Sequence, residues 1–330
     1  MQFQKYYDDI KRFPGQFAEG ARIAEKVALP KDYPSGEFDR IVLCGMGGSS
    51  LPGDLINNML SAEKAPLSLE MSRSYNIPKN SNKKTFFLVC SYSGNTEETL
   101  SAYGEIKAKG FRSAVLASGG KLLELAKKDG VPAFVIPTGL QPRLSTGYII
   151  SGIFSILEKM SLVPKISEKL QKASSHFASL VDEKQCQRIA ERIKGKVPVI
   201  YAEEENFSVA RIGKIKMNEN AKTQAFWNFF PELNHNEMVG FTNLVMTPFF
   251  LIFDSDFSHP QNRKRIEIFS DIMKEKKTEM EVVHFKAENL MEEMLASYYF
   301  MDLVSYYLAC QYGIDPEPVE MVEEFKKRLK

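Results

Sequence analysis

The chain has 330 residues, of which 44% are hydrophobic, and its 43 basic residues nearly balance its 42 acidic ones. This length accommodates two domains of about 150 residues, each with its own core. With balanced charge, the chain has no excess of positive charge to attract nucleic acid or an anionic membrane. No apolar run approaches the roughly 20 residues of a membrane span. The N-terminus also lacks the pattern of a signal peptide. The sequence therefore predicts a cytoplasmic chain whose partner is a small molecule.

The first half predicts a parallel sheet preceded by helices. Apolar residues at helical spacing come first, at Phe3, Tyr6, Tyr7 and Ile10. Strand-like runs follow at 40–44, 67–71, 85–90, 113–117 and 132–136, with helical segments after the first strand and at 97–109, 120–129 and 143–160. This alternation is typical of a flavodoxin-like, doubly wound α/β sheet flanked by helices. Ligands of such sheets bind at the carboxyl ends of the strands.

One loop at a strand end is rich in hydroxyl groups. Residues 91–96 read Ser-Tyr-Ser-Gly-Asn-Thr, and a helical pattern starts at Glu97. The first turn of a helix has N–H groups without intrahelical partners and a positive dipole end, so hydroxyls beside it can hold a phosphate without a metal. The alternative is an ordinary N-cap at Ser93 or Thr96. The loop favours a small phosphorylated ligand.

A second loop, Gly45-Met-Gly-Gly-Ser-Ser50, has the same strand, turn and helix setting. Its glycines allow the backbone to approach an anion closely. Ser50 stands where the dinucleotide fingerprint requires a third glycine, and the nucleoside-triphosphate loop motif does not occur. A nicotinamide cofactor is therefore disfavoured.

The second half repeats the α/β pattern. Pro164 and the polar residues after it predict a linker, which divides the chain into an N-terminal domain, 1–160, and a C-terminal domain, 161–330. Strands are predicted at 197–201, 244–253 and 279–285, with helices from 206 and at 260–275, 289–311 and 318–329. Glu203-Glu-Glu205 replaces the glycines of the first loop. The second domain is thus expected to have lost its phosphate loop, and a solvated turn is the simpler interpretation of these carboxylates.

The cysteines show no metal-binding pattern. The chain contains four of them, Cys44, Cys90, Cys186 and Cys310, which are widely separated. No Cys-x-x-Cys or Cys/His spacing occurs, so buried thiols are predicted.

The densest polar segment lies between Asn218 and Glu237. It contains Glu219 between two asparagines and His235 between two others, on either side of the apolar run 225–230. This run is expected to anchor the segment in the core, which is how a catalytic site is usually supported. Considered singly, Glu219 fits a solvated turn and His235 fits a satisfied core histidine.

Five segments in this order and spacing resemble the bifunctional phosphoglucose/phosphomannose isomerases. They are Gly45–Ser49, Ser91–Glu98, Leu140–Arg143, Asn218–Lys222 and Glu232–Glu237. The resemblance implies two tandem sugar isomerase (SIS) domains, and the interconversion of glucose 6-phosphate, and of mannose 6-phosphate, with fructose 6-phosphate through a cis-enediol. It also implies a homodimer that uses no cofactor and no metal.

The resemblance also implies roles for individual residues. The sugar phosphate would be held by Gly48, Ser49, Ser91, Ser93 and Thr96. Glu219 resembles the base that moves a proton between C2 and C1, and Arg143 resembles the arginine that stabilises the cis-enediolate. His235 matches the residue that opens the sugar ring, at the site of a neighbouring subunit. Lys326, or Lys327, matches the C-terminal lysine that contacts the substrate near the ring oxygen.

The reaction independently requires side chains of these types. A carboxylate can move a proton between adjacent carbons on one face of a cis-enediol. A guanidinium remains charged and stabilises the developing oxyanion, and histidine titrates near neutrality, as ring opening requires. A non-catalytic SIS sensor of sugar phosphates is the alternative, although it would not need Glu219, Arg143 and His235 together. Pro52 and Thr138 depart from the family pattern, so activity on mannose 6-phosphate is the weaker implication.

Overall fold

The computed structural model describes residues 2–30, 33 and 37–329 of the chain. The chain divides into two compact units. The first unit is Lys11–His176, and the second unit combines Met1–Ile10 with Phe177–Lys330. These bounds differ from the sequence-based division between residues 160 and 161. The residues from 161 to 176 remain with the first unit, and the first ten residues join the second.

Two helices come first in the chain, α1 (Gln4–Lys11) and α2 (Phe13–Glu25). Pro14 lies in the first turn of α2, where the missing N–H of proline is tolerated and its fixed φ suits a helix start. Within the second unit, α1 is tied to distant residues. Tyr6 Oη donates to Asn220 Oδ1 at 2.6 Å, and Lys5 Nζ pairs with Glu317 Oε1 at 2.7 Å.

The first unit is built on a five-stranded sheet. Its strands are β1 (Arg40–Gly45), β2 (Leu69–Ser72), β3 (Thr85–Cys90), β4 (Ser113–Ala117) and β5 (Ala133–Val135). All pair in parallel, in the order β2-β1-β3-β4-β5. The remaining helices of this unit are α3 (Leu51–Ala62), α4 (Glu97–Ala108), α5 (Gly120–Lys128), α6 (Thr146–Lys159) and α7 (Ser167–His176).

Both faces of this sheet are covered, which explains why its central strands are continuous apolar runs. Helices α4 and α5 pack on the face that carries Val42, Val89 and Val115. Helix α6 packs on the other face, where a Cβ on Gly152 would lie 2.9 Å from Leu116 Cδ2. Since β1 pairs with β2 on one side and β3 on the other, the topological switch point lies at the carboxyl ends of β1 and β3.

The second unit contains a four-stranded sheet. Its strands are β6 (Val197–Glu203), β7 (Phe226–Phe230), β8 (Pro248–Asp254) and β9 (Glu279–His284). They are parallel in the order β7-β6-β8-β9, which repeats the first four strands of the other sheet. Besides α1, its helices are α8 (Glu183–Ile193), α9 (Phe207–Glu219), α10 (Glu237–Gly240), α11 (Pro260–Glu275), α12 (Leu290–Tyr312) and α13 (Glu320–Arg328). The prediction of two doubly wound parallel sheets is confirmed.

The expectation that the run 225–230 anchors its segment in the core is only partly correct. The run forms β7, which is an edge strand. Phe230 is fully buried, whereas Phe226 is 52% exposed. Phe230, at the carboxyl end of the strand, packs against Tyr201 and Phe269, whereas Phe226 lies at the other end of the strand.

Burial also bears on the thiols and on membrane spans. Cys44, Cys90 and Cys186 are buried as predicted, whereas Cys310 is partly exposed. Burial raises the pKa of the Cys44 and Cys90 thiols to about 12. Among the helices of the described residues, none has both the length and the apolar character needed to cross a bilayer.

Candidate functional site

The loop Ser91–Thr96 collects hydroxyl groups at the start of α4. Thr96 occupies the N-cap position, but its side chain makes no capping hydrogen bond. Its Oγ1 lies instead 2.9 Å from Ser91 Oγ, which also accepts from the Gly94 amide at 3.1 Å. Gly94 has a φ of +69°, and a Cβ there would lie 1.9 Å from the Gly119 carbonyl oxygen. Only glycine fits this turn, which brings Ser91 and Thr96 together.

The glycine loop lies against this hydroxyl loop. Gly47–Ser49 forms a 3-10 turn directly after β1. Ser49 Oγ accepts from the Tyr92 amide at 2.9 Å, so the two loops are hydrogen-bonded at the switch point. Ser93 is exposed, and its Oγ accepts a long bond of 3.3 Å from the Asn95 amide. The structure therefore places all five predicted phosphate-binding residues in two adjoining loops.

Arg143 lies next to the glycine loop. It belongs to a 3-10 turn, Pro142–Leu144, between β5 and α6, and it is 2% exposed. A Cβ on Gly48 would lie 2.6 Å from the Arg143 backbone nitrogen and 2.8 Å from the Pro142 carbonyl carbon. The two backbones are therefore in direct contact. This contact places the backbone of an arginine, whose guanidinium remains charged in proteins, beside the predicted phosphate loops.

Glu219 is the last residue of α9 and is partly exposed. Its neighbour Asn220 is fully buried, and Asn220 accepts from Tyr6 Oη at 2.6 Å and donates to Ser305 Oγ at 2.9 Å. Lys222 Nζ donates to the Glu219 carbonyl oxygen at 2.5 Å. Buried hydrogen bonds from α1 and α12 thus fix the helix end that carries Glu219. Sequence reasoning missed Tyr6 and Ser305, which have no local signal.

His235 ends the turn Glu232–His235, which follows β7, and it is exposed. The interpretation as a core histidine is therefore wrong. The turn is held by its neighbours, since Leu233 is fully buried and the Glu237 carboxylate accepts from Tyr201 Oη and Asn228 Nδ2. His235 is thus an exposed imidazole on a well-anchored segment.

Glu219 and His235 lie on opposite faces of the second sheet. Helix α9 packs on the face of Ile200, because a Cβ on Gly213 would lie 3.1 Å from Ile200 Cδ1. The next strand residue, Tyr201, points to the other face, where it binds Glu237. A helix that follows a parallel strand also runs back, so α9 ends at the amino edge of the sheet, whereas the His235 turn starts at the carboxyl edge. The fold does not bring these two residues of one chain together.

Lys326 lies on α13, whose described residues are not buried. Its Nζ pairs with Glu323 Oε1 at 2.8 Å, and both side chains are more than half exposed. Lys327 is exposed on the same helix. The role of either lysine therefore rests on the sequence resemblance.

Carboxylates occupy the edge of the second sheet that corresponds to the phosphate loops. Glu203 is fully buried, so the solvated-turn interpretation is wrong for this residue, whereas Glu204 is exposed as expected. Burial, together with the nearby negative charge of Asp254, raises the pKa of Glu203 and of Glu293 to about 8. The negative charge of Asp254 at this edge disfavours an anionic ligand. In the part of the chain that the structure describes, no three His, Cys, Asp or Glu side chains are grouped so as to hold a metal ion.

Comparisons with known proteins identify relatives over nearly the whole chain. Residues 182–329 match the model of the bacterial phospho-glucose isomerase C-terminal SIS domain. A bifunctional phosphoglucose/phosphomannose isomerase from Caldicellulosiruptor bescii is 30% identical over 98% of each chain. One from Thermoplasma acidophilum is 33% identical over 95% of this chain and 97% of its own. A D-glucosamine-6-phosphate 4-epimerase from Sulfolobus acidocaldarius is 29% identical over 91% of this chain and 93% of its own.

A solved structure has the same fold. The C-terminal domain of glucosamine-fructose-6-phosphate aminotransferase from Francisella tularensis aligns with a TM-score of 0.72 and 15% identity, covering 95% of this chain and 98% of that one. Together with the SIS family model, this confirms the predicted fold of two tandem SIS domains.

Proposed function

We propose that the chain interconverts glucose 6-phosphate and mannose 6-phosphate with fructose 6-phosphate. The chain belongs to the family of bifunctional phosphoglucose/phosphomannose isomerases. The similarity over nearly the full length identifies the chain as a SIS-domain phosphosugar isomerase. The choice of hexose is the step that we propose.

One observation carries the proposal, which is the grouping of hydroxyls and a cation at the switch point of the first sheet. Ser49 Oγ accepts from the amide of Tyr92, the residue after Ser91, and the Gly48 backbone contacts that of Arg143. The hydroxyls and the N–H groups of the first turn of α4 donate to the sugar phosphate. Arg143 stabilises the negative charge that develops on oxygen when the C2 proton is removed.

Glu219 acts as the base in this proposal. Its carboxylate takes the proton from C2 of the open-chain aldose and returns it to C1 of the cis-enediolate, and the reverse reaction uses the same two steps. The buried bonds of Asn220 support this role, because they fix the backbone next to the base. Lys326, or Lys327, contacts the substrate near the ring oxygen.

His235 opens the sugar ring at the site of a second copy of the chain. The separation of Glu219 and His235 by their own sheet supports this assignment. In a two-fold symmetric homodimer, each copy can supply the histidine that the other lacks, so both sites are complete.

Coupled assays test the proposed function directly. Purified protein is expected to form fructose 6-phosphate from glucose 6-phosphate and from mannose 6-phosphate, without added cofactor and in the presence of EDTA. 6-Phosphogluconate should compete with the substrate, whereas unphosphorylated glucose should not, because the phosphate provides the anchoring contacts. Binding of 6-phosphogluconate without turnover of either aldose would favour the non-catalytic sensor. Loss of activity in EDTA that zinc restores would contradict the metal-free mechanism.

A second candidate is suggested by the similarity to the Sulfolobus acidocaldarius epimerase. That enzyme is a 4-epimerase of D-glucosamine 6-phosphate, and a C4 epimer differs from fructose 6-phosphate in its proton NMR spectrum. Incubation with glucosamine 6-phosphate separates the two functions. If the protein forms the C4 epimer and forms no fructose 6-phosphate from either aldose, it is an epimerase and not the proposed isomerase.

A further inference from the structure

Tyr92 connects three segments at the predicted phosphate site of the first unit. It lies between Ser91 and Ser93 and is 8% exposed. Its amide donates to Ser49 Oγ at 2.9 Å, and its carbonyl oxygen accepts from the Ser118 amide at 2.9 Å and from Ser118 Oγ at 2.6 Å. The backbone of Tyr92 therefore joins its own loop to the glycine loop and to the end of β4.

The hydroxyl of the same residue reaches the segment that precedes Arg143. Tyr92 Oη donates to the Pro137 carbonyl oxygen at 3.0 Å and accepts from the Leu140 amide at 2.9 Å. Leu140 is only 7% exposed. Leaving a buried amide without its partner costs free energy. The Tyr92 hydroxyl therefore fixes the position of the chain between Pro137 and Leu140.

These contacts close a ring of short connections. Arg143 follows Leu140 by three residues, and its backbone contacts Gly48, which precedes Ser49. Ser49 in turn accepts from Tyr92. The phosphate loops are thus connected to Arg143 in two ways, through the hydrogen bonds of Tyr92 and through the backbone contact of Gly48.

We propose that Tyr92 is a positioning residue, whose hydroxyl fixes the segment 137–143 and thereby the placement of Arg143 relative to the bound phosphate. This inference rests on the proposed isomerase function, to which it adds a residue that does not itself touch the substrate. Tyr92 contacts Ser49 and Ser118 through its backbone. These contacts remain when the hydroxyl is removed, so phosphate binding does not depend on the hydroxyl.

Tyr92→Phe tests the inference, since it removes the hydroxyl and leaves the ring and the backbone contacts. Tyr103→Phe is a matched control. Tyr103 is 2% exposed, and its Oη donates to Asp129 Oδ2 at 2.8 Å. Asp129 follows the C-terminus of α5, at the edge of the sheet opposite to the phosphate loops. Both variants lose one buried tyrosine hydroxyl in the same unit.

We expect Tyr92→Phe to lower kcat about 10-fold, because even a misplacement of about 1 Å in a catalytic group can cost up to about 10²-fold. KM should stay within about twofold of wild type, as expected when only interactions in the transition state are lost. Hydrogen exchange should become faster in residues 137–145 of this variant. Tyr103→Phe should change neither kcat nor exchange in that segment.

Any one of three results would overturn the inference. The first is a Tyr92→Phe variant with wild-type kcat, and the second is unchanged exchange in its residues 137–145. The third is a Tyr103→Phe variant that loses kcat in the same proportion, since the loss would then reflect general destabilisation. Wild-type protein without turnover would refute the proposed function instead, while the exchange comparison would still decide whether the Tyr92 hydroxyl holds the segment.

Discussion

Gly48 and Arg143 are in backbone contact, at a distance that excludes any side chain at position 48. A Cβ on Gly48 would lie 2.6 Å from the Arg143 amide nitrogen and 3.0 Å from its Cα. Both atoms belong to the backbone, so the contact cannot be relieved by rotation of a side chain. The glycine is therefore required by its neighbour as well as by the predicted phosphate.

Gly48→Ala is expected to lower kcat/KM at least 10-fold, because the added methyl group must displace the arginine turn. Overpacking of this kind typically costs about 1–3 kcal/mol of stability. The matched control is Gly104→Ala in α4, where a Cβ would meet no atom within 4 Å. That variant should keep full activity and gain about 0.5–1 kcal/mol, since alanine favours a helix interior. Coupled assays and thermal unfolding check both variants, and an active Gly48→Ala would remove the contact from the mechanism.

Glu219→Gln should preserve the fold and the binding of 6-phosphogluconate. Turnover should fall by at least about 10²-fold, because general bases typically contribute that much or more. Glu204→Gln, at an exposed position of the same unit, makes the same chemical change and should have no effect. The assay is kcat for glucose 6-phosphate, with calorimetric binding of the inhibitor as the test of the fold. Near-normal turnover of Glu219→Gln would refute its role as the base.

Stability should depend on pH through the two buried glutamates of the second unit. Burial raises the pKa of Glu203 and Glu293 from 4.5 to about 8. Both remain protonated in the folded chain at neutral pH, whereas the unfolded chain releases these protons above its lower pKa. Their contribution to stability is therefore complete below about pH 4.5 and is lost as the pH rises through about 8.

The variants Glu203→Gln and Glu293→Gln isolate this effect. Their Tm should decrease less than that of wild type between about pH 5 and pH 9, because glutamine has no proton to release. Glu204→Gln should keep the wild-type slope, since that side chain is exposed. Thermal unfolding across the pH range provides the measurement. Parallel Tm curves for wild type and both buried variants would show that these carboxyl groups do not control the pH dependence.

Much of the fold could be predicted because its strands are short apolar runs bounded by turns. The strands at 85–90 and 113–117 and the helix at 260–275 have the predicted bounds. The predicted strand at 244–253 begins only at Pro248, since Leu244 and Val245 are 37% and 90% exposed. An apolar residue does not by itself reveal burial. The strand β7 was not predicted, because its aromatic residues lie on both faces and the run lacks the alternation of apolar and polar residues that indicates a strand.

The phosphate loops could be predicted because each is contiguous in sequence. The residues that hold the site in place could not be predicted, because their partners lie far along the chain. Tyr6 and its acceptor Asn220 are 214 positions apart, and Tyr92 and the Leu140 amide are 48 apart. No spacing rule connects such pairs. Only the tertiary fold shows that Tyr92 belongs to the setting of Arg143, or that an N-terminal helix supports Glu219.

The assignment of His235 to a second copy makes a quantitative prediction about mixed dimers. If each site takes Glu219 from one chain and His235 from the other, the Glu219→Gln and His235→Ala homodimers are both inactive. In a hybrid dimer one site collects both defects and the other collects none. Random reassortment makes about half of the dimers hybrids, and half of the sites in these hybrids are intact, so about a quarter of wild-type activity should return.

The experiment denatures the two inactive variants together, refolds them, confirms dimers by light scattering and assays fructose 6-phosphate formation. Each variant refolded alone serves as the control and should remain inactive. Sites formed within one chain would recover nothing, because every chain then carries a defect in its own site. Verified hybrids without activity would show that His235 serves its own chain. The sheet between Glu219 and His235 would then have to be bridged by a movement of the turn Glu232–His235, although the buried Leu233 and the bonds of Glu237 oppose such a movement.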